Sequence, residues 1–135
     1  LLAPDVDVVT ASPYHPEGGV DGVPAYRLIL SQGASLCYRI LLDAGLHTYT
    51  AMFRAYRRRV LNSVQFSSPG YLAMAEILSE AILAGFHVAE FPTVLHVRKY
   101  GQSKAKVARI LRDHLRFQAG LAPRAVMRKV AQLRS

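Results

Sequence analysis

The feature that most constrains this chain is a change of period near its start, where a short strand-like run gives way to a loop of turn residues and then to a long helical repeat. Asp7 to Ser12, with Val8, Val9 and Thr10 at its centre, has the β-branched content of a strand. Pro13, Pro16, Gly18, Gly19, Gly22 and Pro24 follow, a loop of roughly a dozen residues and long enough for a functional role to be expected of it. Pro24 suits the first position of a helix. Tyr26, Ile29, Leu30, Gly33, Leu36, Cys37, Ile40 and Leu41 then recur at helical spacing, and Gly45 supplies a stop. Arg27 and Ser31 lie four apart, so a cation and a hydroxyl share one face of the first turns, beside the loop.

The rest of the chain continues the alternation. Met52 to Tyr56 reads as a strand, running into a basic turn of Arg57, Arg58 and Arg59 and a short helix that ends near Asn62. Ser68-Pro69 signals a second long helix, whose stripe of Tyr71, Met74, Ala75, Leu78, Ala81 and Ile82 stops at Gly85, with Glu76 off its centre. Val88 to Phe91 and Thr93 to Val97 read as extended segments broken by Pro92, followed by a basic turn from Arg98 to Lys104. Beyond it Val107, Ile110, Leu111, His114 and Leu115 fall on one side of a helix, and Lys104, Arg109, Arg112 and Arg116 on the other. Gly120 and Pro123 are expected to break that helix before a second basic segment, Arg124 to Arg134.

With 135 residues, 51% of them hydrophobic, the chain suits one folded unit and is too apolar to be disordered. No uninterrupted run of about 18 apolar residues occurs, so no bilayer span is expected. The first residues carry neither an initiating Met nor a basic signal region, and the chain reads as cut at its front. Cys37, the one cysteine, is expected to be a small buried hydrophobe in a reducing compartment.

Charge divides the chain at residue 103. Residues 1–103 hold eight basic and eight acidic residues, whereas residues 104–135 hold nine basic residues against Asp113 alone and so carry the whole formal excess of +8. A polybasic tail on a neutral body attracts a polyanion, either nucleic acid or an anionic membrane surface. The seven tyrosines all precede the tail, so no basic-aromatic stacking surface is visible and nucleic acid is not the expected partner.

Asp5-Val6-Asp7 has the spacing of a chelating pair, but it precedes a strand, at the end of the sheet away from a ligand crevice. A role at the start of the strand is expected of it, not metal binding. The histidines His15, His47, His87, His96 and His114 show no metal-ligand spacing and are read as surface or core-edge residues. No Gly-x-Ser-x-Gly, Walker-type or His-Glu-x-x-His motif occurs. Three elements could jointly hold a phosphate: Arg27 with Ser31, the turn Arg98 to Lys104, and the loop between Pro13 and Pro24. Arginine suits this role because its planar fork makes paired, charge-assisted bonds to phosphate oxygens. Spacing alone leaves open that these arginines are merely solvated.

Taken in order, the segments resemble the second half of a family-2 glycosyltransferase catalytic domain, most closely the dolichyl- or polyprenyl-phosphate mannosyl- and glucosyltransferases. Asp7-Val8-Val9-Thr10-Ala11-Ser12 with Gly18-Gly19-Val20 is similar to the family's strand and loop, and Arg27 to Ser31 to its next helix. Phe53-Arg54-Ala55-Tyr56-Arg57-Arg58 is similar to its "GFRAYRR" block. Gly70-Tyr71 with Glu76, Glu90-Phe91-Pro92, and Arg98 with Gly101, Ser103 and Lys104 continue the series.

The resemblance implies a GT-A-type α/β nucleotide-sugar transferase fold, of which residues 1–103 are the acceptor-side half, followed by basic amphipathic C-terminal helices over 104–135. It implies transfer of a sugar from a nucleotide-sugar to a polyprenyl (dolichyl or undecaprenyl) phosphate at the cytoplasmic face of a membrane, aided by Mg or Mn in the full-length enzyme. Arg27, Ser31 and Arg98 match acceptor-phosphate positions, with Ser103 and Lys104 completing that set; no catalytic residue and no metal ligand is carried over. The donor and metal half is absent, so the isolated chain is expected to be inactive and to bind no cation itself. The chain departs from the family at Pro13, where an arginine is common, and over Thr48-Tyr49-Thr50-Ala51-Met52-Phe53, where many members read Asp-Leu-Thr-Ser-Gly-Phe. Rival readings are a family-2 enzyme acting on a glycan or glycolipid, a small basic nucleic-acid-binding domain, and a module that binds acidic partners through its tail.

Overall fold

The computed structural model describes residues 3–97 and 106–134. Its elements are β1 (Val8–Ser12), β2 (Gly19–Asp21), α1 (Ala25–Leu42), β3 (Arg54–Tyr56), α2 (Arg58–Ser63), α3 (Tyr71–Leu83), β4 (Val88–Pro92), β5 (Val94–His96) and α4 (Val107–Arg134). This is the mixed α/β arrangement expected. A three-stranded sheet has the order β3-β1-β4, with β1 antiparallel to β3 and parallel to β4. The segments that pair as β1 and β4 pair again, in parallel, as β2 and β5. The loop after β1 is therefore not structureless: β2 divides it into a turn from Pro13 to Gly18, in which the Gly18 amide donates to His15 O at 2.8 Å, and a short link over 22–24.

Asp7 sits at the start of β1, as its position before the strand implied. Its buried carboxylate accepts from Arg59 and from the His87 amide. The hydrogen bond from Arg59 holds its pKa below the ordinary value. The basic turn is likewise structural in part: Arg57 donates to the Val6 and Ala3 carbonyls, and Arg54 binds Thr10 Oγ1 and the Tyr49 and Met74 carbonyls. The "FRAYRR" block thus cross-links β1, the loop before β3 and α3.

The core joins Val8, Tyr38, Leu42, Tyr49, Leu78 and Ile82 to Leu121 from α4. Tyr38 and Tyr49 stack with centroids 5.6 Å apart. In α1 the buried residues are Ser35, Tyr38 and Leu42, whereas of the stripe expected from the sequence Tyr26, Ile29, Gly33, Leu36, Cys37 and Ile40 are exposed and Leu30 and Leu41 half-buried. The expected burial of Cys37 is therefore corrected. Two apolar faces compete in α1, and the one offering Tyr38 to Tyr49 and α4 won. The helix ends before Gly45, because Asp43 adopts the left-handed conformation (φ 51°) as its C-cap.

Two further expectations are corrected. α3 starts after Gly70, not at Ser68, because the buried Glu76 carboxylate reaches back to accept the Ser67 and Ser68 amides. The C-terminal segment is one helix through Gly120 and Pro123, not two. Pro123 removes one helical N–H, but Ala119 and Pro123 both face outward, where water can satisfy the freed carbonyl. Leu121 and Ala125, on the inner side, pack the helix down across the proline. Among the described residues no helix is long and apolar enough to cross a membrane.

Candidate functional site: an apolar cavity with a cationic corner

α1 presents Arg27 and Ser31 toward a cavity of about 690 Å³, closed by the loop before β3, by β5 and by the first turns of α4. Arg27 and Ser31 are thus brought to one site, as their helical spacing implied, together with Pro13 and Tyr14 from the turn after β1. Arg98, Ser103 and Lys104 lie outside the described residues. Leu95 and Val107, on either side of that segment, both line the cavity.

The walls are mostly apolar. Leu30 and Ala34 of α1 face Val107, Ile110 and Leu111 of α4. At the rim Met52, Phe53, Tyr71, Val94 and Leu95 remain between 41% and 84% exposed. Against this wall Arg27 is the one arginine or lysine among the described lining residues, and no aspartate or glutamate lines it. Its Nε donates to Tyr26 Oη at 3.1 Å, and no described carboxylate pairs with it. The guanidinium therefore keeps donors for an incoming anion. Ser31 Oγ lies 2.8 Å from Thr50 Oγ1, and Thr48 Oγ1 lies 2.8 Å from the buried Ser12 Oγ. The result is a row of hydroxyls beside one cation.

Thr48, Thr50 and His114 carry no sequence signal that marks them as site residues. The threonines sit in a loop without periodicity. His114, on the apolar side of its helix and expected at the surface or the core edge, is buried and bonded through Nδ1 to Tyr38 Oη at 2.9 Å. Burial lowers its pKa below 6.5, with Asp113 opposing the shift. His47 too has a partner: its Nδ1 meets Glu90 Oε2 at 2.7 Å. Burial raises the Glu90 pKa, but bonds from His47, Ser12 and two backbone amides outweigh it and hold the carboxyl below its ordinary value.

The described residues contain no group of three or more His, Cys, Asp or Glu side chains able to hold a metal ion, and Asp7 is already committed to Arg59 and His87. The divalent cation implied by the resemblance does not fit any of them.

The cavity thus combines one arginine and a set of hydroxyls with mostly apolar walls, and sequence comparison adds a second line of observation. The chain is similar in sequence to two curated proteins. It is 41% identical over 101 residues to the polyprenol monophosphomannose synthase of Mycolicibacterium smegmatis, covering 73% of this chain and 38% of that protein. It is 31% identical over 101 residues to the undecaprenyl-phosphate mannosyltransferase of Micrococcus luteus, covering 73% of this chain and 42% of that protein. The chain thus spans about two fifths of the length of these curated relatives. No family model matches it.

Proposed function

We propose that the chain is the acceptor-side part of a GT-A-type, family-2 glycosyltransferase that moves a hexose, mannose by the relatives' names, from a nucleotide-sugar to a polyprenyl phosphate. One observation carries the reading: the cavity pairs an arginine without a carboxylate partner among the described residues, and a row of hydroxyls, with a mostly apolar wall. A lipid phosphate has this same division. In this reading Arg27 and Ser31 hold the phosphate, Arg98, Ser103 and Lys104 complete its shell, and the first isoprene units lie toward Met52 and Phe53.

The chemistry needs little from these residues beyond placement and charge. A phosphate oxygen attacks the anomeric carbon, the new C–O–P linkage forms, and the nucleoside diphosphate leaves with the electron pair of the broken bond. The phosphate is already anionic near neutral pH, so orientation and charge compensation matter more than a strong base.

In this reading the tail, 104–135, meets an anionic membrane at the cytoplasmic face. α4 exposes Leu115, Val126, Val130 and Leu133 on the side away from the core, flanked by Arg112, Arg116 and Arg134. Each basic residue near an anionic leaflet contributes about 1 kcal/mol.

The test is transfer by the complete protein from a panel of nucleotide-sugars to a short polyprenyl phosphate, to free polyprenol and to soluble glycans. Transfer to the polyprenyl phosphate alone is expected, and transfer to a glycan with none to the lipid phosphate overturns the acceptor. Sedimentation with anionic liposomes at matched salt, compared with nucleic acid, tests the tail. Nucleic-acid binding without liposome binding overturns that part.

A further inference from the structure

Five of the residues lining the cavity, Thr48 to Phe53 without Tyr49, come from the loop between α1 and β3. That loop has almost no regular backbone structure of its own, so something else must fix it. Its hydrogen bonds show what does. Glu90 on β4 accepts the His47 amide at 2.7 Å and the Thr48 amide at 2.9 Å through Oε1, and meets His47 Nδ1 at 2.7 Å through Oε2. The Glu90 side chain is 7% exposed, and among the described residues its side-chain partners are His47 and Ser12, with no lysine or arginine paired to it.

We propose that Glu90 and His47 are a positioning pair for the acceptor site, in which the carboxylate clasps the loop and sets the Thr48 hydroxyl beside Ser12 and the Thr50 hydroxyl beside Ser31. The inference rests on the acceptor reading above. The geometry runs in one direction. Glu90 is fixed in β4, paired in register with Thr10 of β1, and its carboxylate holds two consecutive amides of the loop. Those amides stand immediately before Tyr49, whose own amide donates to Ser35 Oγ at 3.1 Å and whose carbonyl accepts from Arg54 at 2.6 Å. Residues 47–50 are therefore pinned from β1, α1, β3 and β4, and the Ser31–Thr50 contact is the last in the series. This is also the stretch where the sequence departs from the family pattern. A buried carboxylate filled by loop donors gives the loop a rigid seat, which a site that must orient a phosphate needs.

Neither Glu90 nor His47 is among the residues that line the cavity, so both act through Thr48 and Thr50. Removing the carboxylate leaves two amides without an acceptor and frees the loop by about an ångström or more, a displacement that costs up to about 100-fold in a positioned reaction. Glutamine is the conservative substitute. Its carbonyl can still accept both amides, and its NH2 can donate to the other tautomer of His47.

The experiment uses the complete protein with Glu90→Ala, Glu90→Gln, His47→Ala and Thr50→Val. Amide hydrogen exchange over residues 43–53 reads the clasp, and steady-state transfer to a short polyprenyl phosphate reads its consequence. Expected are protected loop amides in the parent, lost in Glu90→Ala and kept in Glu90→Gln. The acceptor KM rises about 10- to 100-fold in Glu90→Ala, less in Glu90→Gln and His47→Ala, with the donor KM unchanged. Thr50→Val, which leaves the clasp intact, raises the acceptor KM without loss of protection. Unprotected loop amides in the parent, or a Glu90→Ala variant that is deprotected yet keeps its acceptor KM, overturns the positioning role. If Glu90→Ala does not fold, equal acceptor and donor losses in Glu90→Gln and His47→Ala overturn it instead. A parent that transfers nothing to polyprenyl phosphate overturns the acceptor reading itself, a result distinct from a parent that transfers while Glu90→Ala does so equally well.

Discussion

Replacing Tyr38 with Phe leaves His114 buried without its hydroxyl partner, and the cost follows from the structure. The two side chains meet at 2.9 Å between α1 and α4; Tyr38 is fully buried and His114 is 5% exposed, so water cannot readily replace the lost O–H. A buried polar group left unpaired costs about 1–3 kcal/mol, a rise of roughly 5- to 150-fold in the population of the opened form. Replacing both residues, Tyr38→Phe with His114→Leu, removes both polar groups and is expected to recover part of that loss. The same pair sets an acid limit. Because burial lowers the folded pKa of His114 below 6.5, the opened chain takes up a proton near that pH while the folded chain does not. Stability is therefore full above pH 6.5 and falls as the pH drops through the window below it, by at most about 1.4 kcal/mol per pH unit. Glu90 and Asp7, whose pKa values are lowered from 4.5 and 3.8, lose their contributions only in more acid solution, so the His114 window stands apart. Amide hydrogen exchange of α1 and α4 in the complete protein, corrected for intrinsic rates and measured from about pH 5 to 7.5, reads both effects. Unchanged protection in Tyr38→Phe, or an acid-side loss that persists in His114→Leu, refutes the reasoning.

Three further substitutions test the packing. Gly18→Ala places a methyl 2.6 Å from Ser12 O and 2.8 Å from Pro13 O, both backbone atoms, so the turn after β1 must shift, and a loss of about 1–3 kcal/mol is expected in thermal melts. Leu121→Ala removes a buried side chain that joins α4 to the core, which costs about 2–5 kcal/mol by chemical denaturation. Arg124→Ala breaks contacts of 2.5 and 2.8 Å to Glu80, yet the arginine is 55% exposed, and the melting midpoint is expected to move by no more than about 1 kcal/mol allows.

Elements whose signals are local were readable in the sequence. β1 follows from its β-branched run and the turn residues after it, and Pro24 marks the start of α1 within a residue. Which face of a helix is buried is not a local property. In α1 the apolar spacing of Ile29, Leu36 and Ile40 is as regular as any, but Tyr38 and Ser35 face the core because Tyr49 and His114 await them there. Likewise Pro123 looks like a break until α4 is seen packed on both sides of it, and Glu76, off the centre of its apolar stripe, is buried because its carboxylate accepts two amides eight and nine residues earlier. At the site, Arg27 and Ser31 were legible because four residues of one helix separate them. Thr50 meets Ser31 across 19 residues and Glu90 meets His47 across 43, separations at which no spacing rule operates.

The central claim is that Arg27 and Ser31 hold the phosphate of a polyprenyl-phosphate acceptor. It is tested most directly by measuring acceptor and donor kinetics of the complete protein beside its Arg27→Ala and Ser31→Ala variants. A charge-assisted hydrogen bond contributes about 1.5–3 kcal/mol, so Arg27→Ala is expected to lower kcat/KM for the polyprenyl phosphate about 10- to 150-fold. Ser31→Ala is expected to lower it less, and both variants should bind the nucleotide-sugar as the parent does. Variants that transfer like the parent, or that lose donor binding in step with acceptor use, contradict the claim.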